Sequence, residues 1–113
     1  MTANFAWLLL LVAGLLEIVW SISMKASQGF TKPLLTTITL VAAGLSFWLL
    51  GLALRQLPVG TAYAAWTGIG VVGAAILGIL FFHEPVTLIR IGCIALIIIG
   101  IVGLKVFSAS AVS

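Results

Sequence analysis

Glu17 is the acidic residue whose position in the chain is hardest to explain without a function. It lies in an apolar run, residues 5–24, that contains no other charged residue. A charge inside a bilayer costs about 2.5–3.5 kcal/mol on insertion scales, and such residues usually face a water-filled cavity, a cation or a proton pathway. Gly14 and Trp20 lie three residues before and after Glu17. This spacing places all three on one stripe of a helix, so we predict a site for protons or a cation there.

Polar and aromatic residues in two later apolar runs add to this prediction. Tyr63 and Trp66 are three residues apart and align with Gly70, while Ser46 lies well inside the preceding run. Each aromatic ring that faces a cation contributes about 0.5–2 kcal/mol, and a serine hydroxyl both donates and accepts hydrogen bonds. Together with Trp20, these residues are candidates for the walls of a cation site.

Each of these residues also has a purely structural explanation. Glu17 could be protonated and serve as a hydrogen-bonding spacer between helices. The three aromatic residues could be ordinary packing residues, and Ser46 could bond the backbone of its own helix. We favour the functional interpretation of Glu17 because ionisable residues inside membrane segments are functional by default.

The elements that position these residues follow from composition and hydropathy. The chain has 113 residues, of which 64% are hydrophobic and only five are basic and two acidic. A soluble domain of this length could not bury so much apolar surface, so we predict an integral membrane protein with one domain, residues 1–113. The apolar runs lack the alternation of transmembrane strands and predict an all-α fold. Four transmembrane helices are expected, at residues 5–24, 33–54, 59–82 and 86–107.

The basic residues flank the apolar runs and are typical of anchors at the membrane interface, not of a nucleic-acid site. Lys25, Lys32 and Arg90 belong to one side of the membrane, and Arg55 and Lys105 belong to the other. The two sides of the membrane thus differ by only one basic residue, which gives almost no preferred orientation. Because positive charge sets orientation, the chain could insert both ways, and two opposed copies could then pair as an antiparallel dual-topology homodimer.

Small residues in the last two runs predict flexibility and close helix packing. Gly68, Gly70 and Gly73 are clustered in the third run, where they weaken the helix and could form a hinge. Cys93 and Gly100 are seven residues apart in the fourth run and share one face. Small residues at such a spacing favour a dimer interface, although packing within one subunit would produce the same pattern.

The sequence offers little support for an enzyme. No Ser/His/Asp set, metal-ligand cluster or phosphate-binding glycine loop is present, so neither a metal nor a cofactor is predicted. The second acidic residue, Glu84, lies in the turn His83-Glu84-Pro85. A carboxylate there suits the positive end of the following helix, and we predict a structural role for it.

Three sequence motifs resemble those of the small multidrug resistance family. They are G-L-L-E-I-V-W around Glu17, the loop K-A-S-Q-G-F-T, and L-P-V-G-T-A-Y-A-A-W-T-G-I-G-V-V-G around Trp66. The similarity extends over about residues 7–105. The motif W-T-G-I-G, the Trp three residues after the acid and the ending G-I-V-G-L-K look like the guanidinium-exporter subtype.

The resemblance implies an antiparallel homodimer in the bacterial inner membrane, with Glu17 of both subunits in one shared site. Glu17 would bind both substrate and the coupling protons, Ser46 would hydrogen-bond near the carboxylate, and Tyr63 would gate the site. The fourth helix would form the dimer interface, with Cys93 where the family often has a glycine seven residues before Gly100. The resemblance also implies that Gly14, Trp20 and Trp66 contact the substrate.

The function that the resemblance implies is proton-coupled antiport. The protein would export guanidinium and small substituted guanidines by alternating access, and protons and substrate would compete for Glu17. A planar guanidinium with a fork of N–H donors matches a carboxylate in charge and geometry. The alternative is a promiscuous exporter of hydrophobic quaternary ammonium cations. A proton-translocating proteolipid subunit and a small ion channel are less favoured alternatives.

Overall fold

The chain forms four long α-helices in the computed structural model, which describes residues 2–111. The helices are α1 (Ala3–Ala26), α2 (Pro33–Ala53), α3 (Val59–Phe82) and α4 (Leu88–Ala111). Each helix is long and apolar enough to cross a membrane. In α4 the candidate membrane span is Leu88–Phe107. At about 1.5 Å per residue, 20 residues already cover the roughly 30 Å of a bilayer's hydrocarbon core. The predicted all-α architecture with four candidate spans is confirmed.

Local sequence explains where α2 and α4 begin. Pro33 occupies the first turn of α2, where a missing N–H has no cost. Helix α4 begins at Leu88, two residues later than predicted. The reason is Thr87, whose hydroxyl accepts a hydrogen bond from the Arg90 backbone N–H at 3.1 Å and so caps the helix.

The turn between α1 and α2 is closed by Ser27. Its hydroxyl donates to the Met24 carbonyl at 2.6 Å and accepts from the Phe30 N–H at 3.0 Å. Gln28, Gly29 and Phe30 all have positive φ, with Gly29 at +74°. This left-handed stretch reverses the chain within six residues, so that α2 returns beside α1.

Helix α1 packs extensively against both α2 and α3, and α3 in turn also contacts α2 and α4. A buried hydrogen bond of 2.7 Å between the Ser23 and Thr39 hydroxyls joins α1 to α2. The buried core consists mostly of small residues, which allow close helix approach. Its members are Ala6, Leu10, Ala13, Leu50, Ala53, Leu57, Ala62, Ala65 and Trp66.

Helix α4 is peripheral and packs against α3. One close contact is at Gly68, where an added Cβ would lie 2.6 Å from Cδ1 of Ile101. No residue between Leu88 and Phe107 is buried. Between Leu88 and Phe107, one side of this apolar helix is therefore left largely uncovered by the rest of the described chain.

Candidate functional site

The carboxyl group of Glu17 lies between α1 and α3. A Cβ built on Gly70 would overlap this carboxyl group, so the absence of a side chain at position 70 creates the space for it. Oxygen Oε1 of Glu17 is buried and has no hydrogen-bond partner among the described residues. The structure thus places a half-buried acid, with one buried and unpartnered oxygen, between two apolar helices.

Two further buried polar atoms lack a partner in the described part of the chain. They are Nε1 of Trp20, one turn after Glu17, and the hydroxyl of Thr67, one turn before Gly70. Buried polar atoms are hydrogen-bonded in the great majority of cases, and each exception calls for an explanation. These three lie on α1 and α3, the two helices that meet at Glu17. Sequence reasoning missed Thr67, since an isolated threonine in a membrane helix gives no distinctive signal.

Ser46 joins three helices at the level of the site. Its hydroxyl donates to the Ala13 carbonyl of α1 at 2.7 Å and accepts from Nε1 of Trp66 of α3 at 2.9 Å. Ala13 lies one helical turn before Glu17. The alternative that Ser46 bonds the backbone of its own helix is wrong, because its partners are on α1 and α3.

The aromatic candidates form a continuous row. Ring centroids are 5.3 Å apart between Tyr63 and Trp66, 5.5 Å between Trp66 and Phe47, and 6.3 Å between Phe47 and Trp20. Trp66 is buried, whereas Tyr63 is 55% and Phe47 54% exposed. Packing inside the chain therefore accounts for Trp66 but not for the two exposed rings. Phe47 completes the row between α1 and α3 and was not predicted, since one Phe in an apolar run is unremarkable.

The glycines near the site are contact points between helices. A Cβ on Gly14 would lie 2.6 Å from Cγ2 of Ile69, and one on Gly73 would overlap the side chain of Ile18. Helix α3 runs without a break through the predicted hinge residues Gly68, Gly70 and Gly73. Gly14 as a pocket residue and the hinge itself stay predictions.

The predicted dimer residues lie on the uncovered side of α4. Cys93 and Gly100 are both exposed, and a Cβ on Gly100 would meet no atom within 4 Å. Neither residue contributes to packing within the chain at this point. Their role between two copies stays a prediction.

The second acid has a different environment from Glu17. Glu84 accepts a hydrogen bond from Nη2 of Arg90 at 2.9 Å and lies 3.8 Å from Nζ of Lys25. Its carboxyl also takes the space beside Gly78, which a Cβ would fill. Glu84 therefore stabilises the start of α4 through Arg90, while Thr87 provides the cap. Across the described residues no group of three His, Cys, Asp or Glu side chains could hold a metal ion.

Comparisons with known proteins identify the family of this chain. The sequence profile of the family described as "Small Multidrug Resistance protein" matches residues 5–97. A protein of Yersinia pseudotuberculosis serotype I (strain IP32953) named "Guanidinium exporter" is 52% identical over 103 residues, which are 91% of this chain and 99% of that protein.

Two further relatives carry the same name. The Escherichia coli (strain K12) protein is 49% identical and the Citrobacter freundii protein 52% identical, each over 100 residues. Both alignments cover 88% of this chain and 95% of the relative. With its four apolar helices and a family match over most of its length, the chain is a multi-pass membrane protein that belongs to the small multidrug resistance family.

Proposed function

We propose that this protein exports guanidinium, and small substituted guanidines, across the bacterial inner membrane in exchange for protons. The observation that carries the proposal is the buried, unpartnered Oε1 of Glu17 next to α3. A cation with N–H donors would satisfy that oxygen and balance its charge. The relatives named as guanidinium exporters support the choice of cation.

The chemistry of guanidinium suits the groups at the site. It is planar, stays charged at cellular pH and offers a fork of N–H donors to a carboxylate. Aromatic faces attract such a cation and stack on its plane. The row from Trp20 through Phe47 and Trp66 to Tyr63 provides these faces on three helices. Ser46 holds Trp66 in place through its hydrogen bond.

Exchange follows if Glu17 carries either a proton or the cation, but not both. A carboxylate that holds neither a proton nor a cation is costly in a membrane interior. The protein with an empty, charged site would therefore rarely undergo the conformational change that opens the site to the other side of the membrane. The protein then returns with a proton after it has released guanidinium. Coupling to the proton gradient needs no nucleotide.

The functional unit that we propose is an antiparallel homodimer. The uncovered apolar side of α4, with Cys93 and Gly100, would be buried between two copies, and the small residues there would allow close approach. The nearly balanced positive charge on the two sides of the membrane allows the two orientations that such a pair requires. Glu17 of both subunits would then share one site, open alternately to each side.

Export of quaternary ammonium cations is the second candidate, and the exposed rings of Phe47 and Tyr63 favour it. These rings offer apolar and cation–π contacts that need no N–H donor on the ligand. A guanidinium ion, by contrast, uses donors that match Glu17. Binding of guanidinium should therefore depend on the hydrogen-bonding geometry of Glu17 more strongly than binding of a quaternary ammonium cation.

The test is transport by purified protein in proteoliposomes with an imposed pH gradient. Guanidinium should be accumulated in exchange for protons, and tetrapropylammonium should be transported at least tenfold more slowly. Glu17→Gln should abolish exchange without changing the elution of the protein on size exclusion. Unchanged exchange by that variant would exclude Glu17 as the coupling residue, and faster tetrapropylammonium transport would favour the second candidate.

A further inference from the structure

A groove opens at the end of the bundle where α1 and α3 finish and α4 begins. Its volume is about 350 Å³. Charged side chains lie at its mouth, namely Lys25 near the end of α1, Glu84 in the last loop and Arg90 in the first turn of α4. Deeper in the membrane-spanning part its walls are apolar and small, with Val71, Ala74 and Ala75 of α3. None of these residues belongs to the site around Glu17.

The mouth of the groove has an excess of positive charge. Glu84 is shared between Arg90, at 2.9 Å, and Lys25, at 3.8 Å, so two cations face one carboxylate. The ammonium group of Lys25 also lies over the ring of Phe82, 5.3 Å from its centroid, but its contact with Glu84 is long and its side chain is 57% exposed. Exposed ion pairs at such distances contribute little. Lys25 can therefore offer N–H donors to an anion that arrives at the groove.

The depth of the groove identifies the kind of anion. Val71 lies eleven residues before Phe82, the last residue of α3, and this corresponds to about 16 Å along the helix. A free phosphate ion would use only the charged mouth and leave this apolar channel unfilled. A phospholipid has a phosphate at one end and an acyl chain of this length behind it. Basic pockets between transmembrane helices recognise anionic headgroups in the same way.

We propose that this groove binds one anionic phospholipid, with the phosphate on Lys25 and Arg90 and an acyl chain along Val71, Ala74 and Ala75. The net positive charge of the mouth selects an anionic headgroup over a zwitterionic one. Glu84 orders Arg90 before the lipid arrives. The apolar wall of the groove thus contacts the acyl chain of the lipid, and the charged mouth contacts its phosphate.

The experiment is native mass spectrometry of the purified protein, titrated with phosphatidylglycerol or with phosphatidylcholine of identical acyl chains. Phosphatidylglycerol should be retained at least fivefold more tightly. Lys25→Gln should reduce this retention about fivefold, which is the contribution of one basic residue near an anionic lipid surface. The matched control is Lys32→Gln, an exposed lysine at the same end of the bundle but outside the groove, and it should leave retention unchanged.

A second variant tests the apolar part separately. Ala75→Phe fills the channel and keeps all three charges, so it should reduce retention of both lipids. The proposal is overturned if the two lipids bind equally, or if Lys32→Gln and Lys25→Gln have the same effect, which would indicate general surface charge. It is also overturned if Ala75→Phe changes nothing, as expected if a second copy of the chain covers the groove. All readouts measure bound lipid and do not depend on whether the protein transports guanidinium.

Discussion

The carboxyl group of Glu17 lies against Gly70, in the space that any side chain at position 70 would occupy. One residue on α3 thus determines where an acid on α1 can rest. The sequence alone indicated Gly70 as part of a possible hinge and as aligned with Tyr63 and Trp66, but not as a contact of Glu17. The contact gives this glycine a second, steric explanation, and the two explanations predict different experimental results.

The first prediction concerns Gly70→Ala. The added methyl group would displace the Glu17 carboxyl and weaken guanidinium binding by roughly tenfold or more, since a hydrogen bond to a charged group contributes about 1.5–3 kcal/mol. Isothermal titration calorimetry of the purified protein measures this. The control is Gly60→Ala, also in α3, where a Cβ meets nothing within 4 Å. Unchanged affinity with slower transport would instead support the hinge.

The second prediction concerns Ser46→Ala. This change leaves the buried Nε1 of Trp66 without an acceptor and should lower the free energy of unfolding by about 1–3 kcal/mol. In the double variant, the stability losses of Ser46→Ala and Trp66→Phe should add only in part, because the two side chains share one hydrogen bond. Thermal stability on size exclusion checks both variants. Ser21→Ala is the control, since its hydroxyl bonds only its own helix at Ile18, and an equally large loss there would contradict the prediction.

The third prediction is competition between protons and cargo. Because both are proposed to bind Glu17, the affinity for guanidinium should fall as the pH is lowered, by up to about tenfold per pH unit for each displaced proton. Binding measured over a range of pH values tests this. In Glu17→Gln the remaining weak binding should be independent of pH. An affinity that does not vary with pH in the unaltered protein would exclude competition.

The fourth prediction concerns assembly. Gly100→Trp should prevent dimer formation and leave the helix content of the chain intact, since nothing in the chain lies within 4 Å of a Cβ at this position. Light scattering in detergent measures the mass of the complex. Gly44→Trp places the same side chain at an equally open position on α2 and should preserve the dimer. A dimer that survives Gly100→Trp would place the interface elsewhere.

The fifth prediction separates the two acids. Glu84→Gln should cost no more than about 1 kcal/mol of stability, because the ion pairs of Glu84 are partly exposed. Guanidinium binding should be unaffected, in contrast to Glu17→Gln. Calorimetry and thermal unfolding of the two variants in parallel provide the comparison. Loss of binding in Glu84→Gln would bring the second acid into the cargo site.

Helices and candidate residues could be predicted from sequence to different extents. Apolar runs ended by Lys25, Pro33 or Pro58 are local signals, and they located the helices closely. Glu17 stood out because a charge in an apolar run is costly wherever it packs. The contact between Glu17 and Gly70 depends on the register of α1 against α3, which no local pattern specifies.

Some residues of the candidate site give no signal in the sequence. Phe47 resembles any apolar residue of a membrane helix until its neighbours Trp20 and Trp66 are known in space. Thr67 is recognised only by its unsatisfied hydroxyl. The pair of Glu84 and Arg90 spans the loop before α4, and its formation depends on how that loop folds back.

Helix α4 packs mainly against α3, with Lys105 also lying over the ring of Trp7 in α1, and this arrangement has a consequence for how such a protein can diversify. The side chains proposed to hold the cargo belong to α1, α2 and α3, while the surface proposed for self-association belongs to α4. Substitutions that change which copies associate through α4, for example after gene duplication, can therefore accumulate without disturbing Glu17. Two duplicated genes could come to recognise each other and still inherit the same cargo.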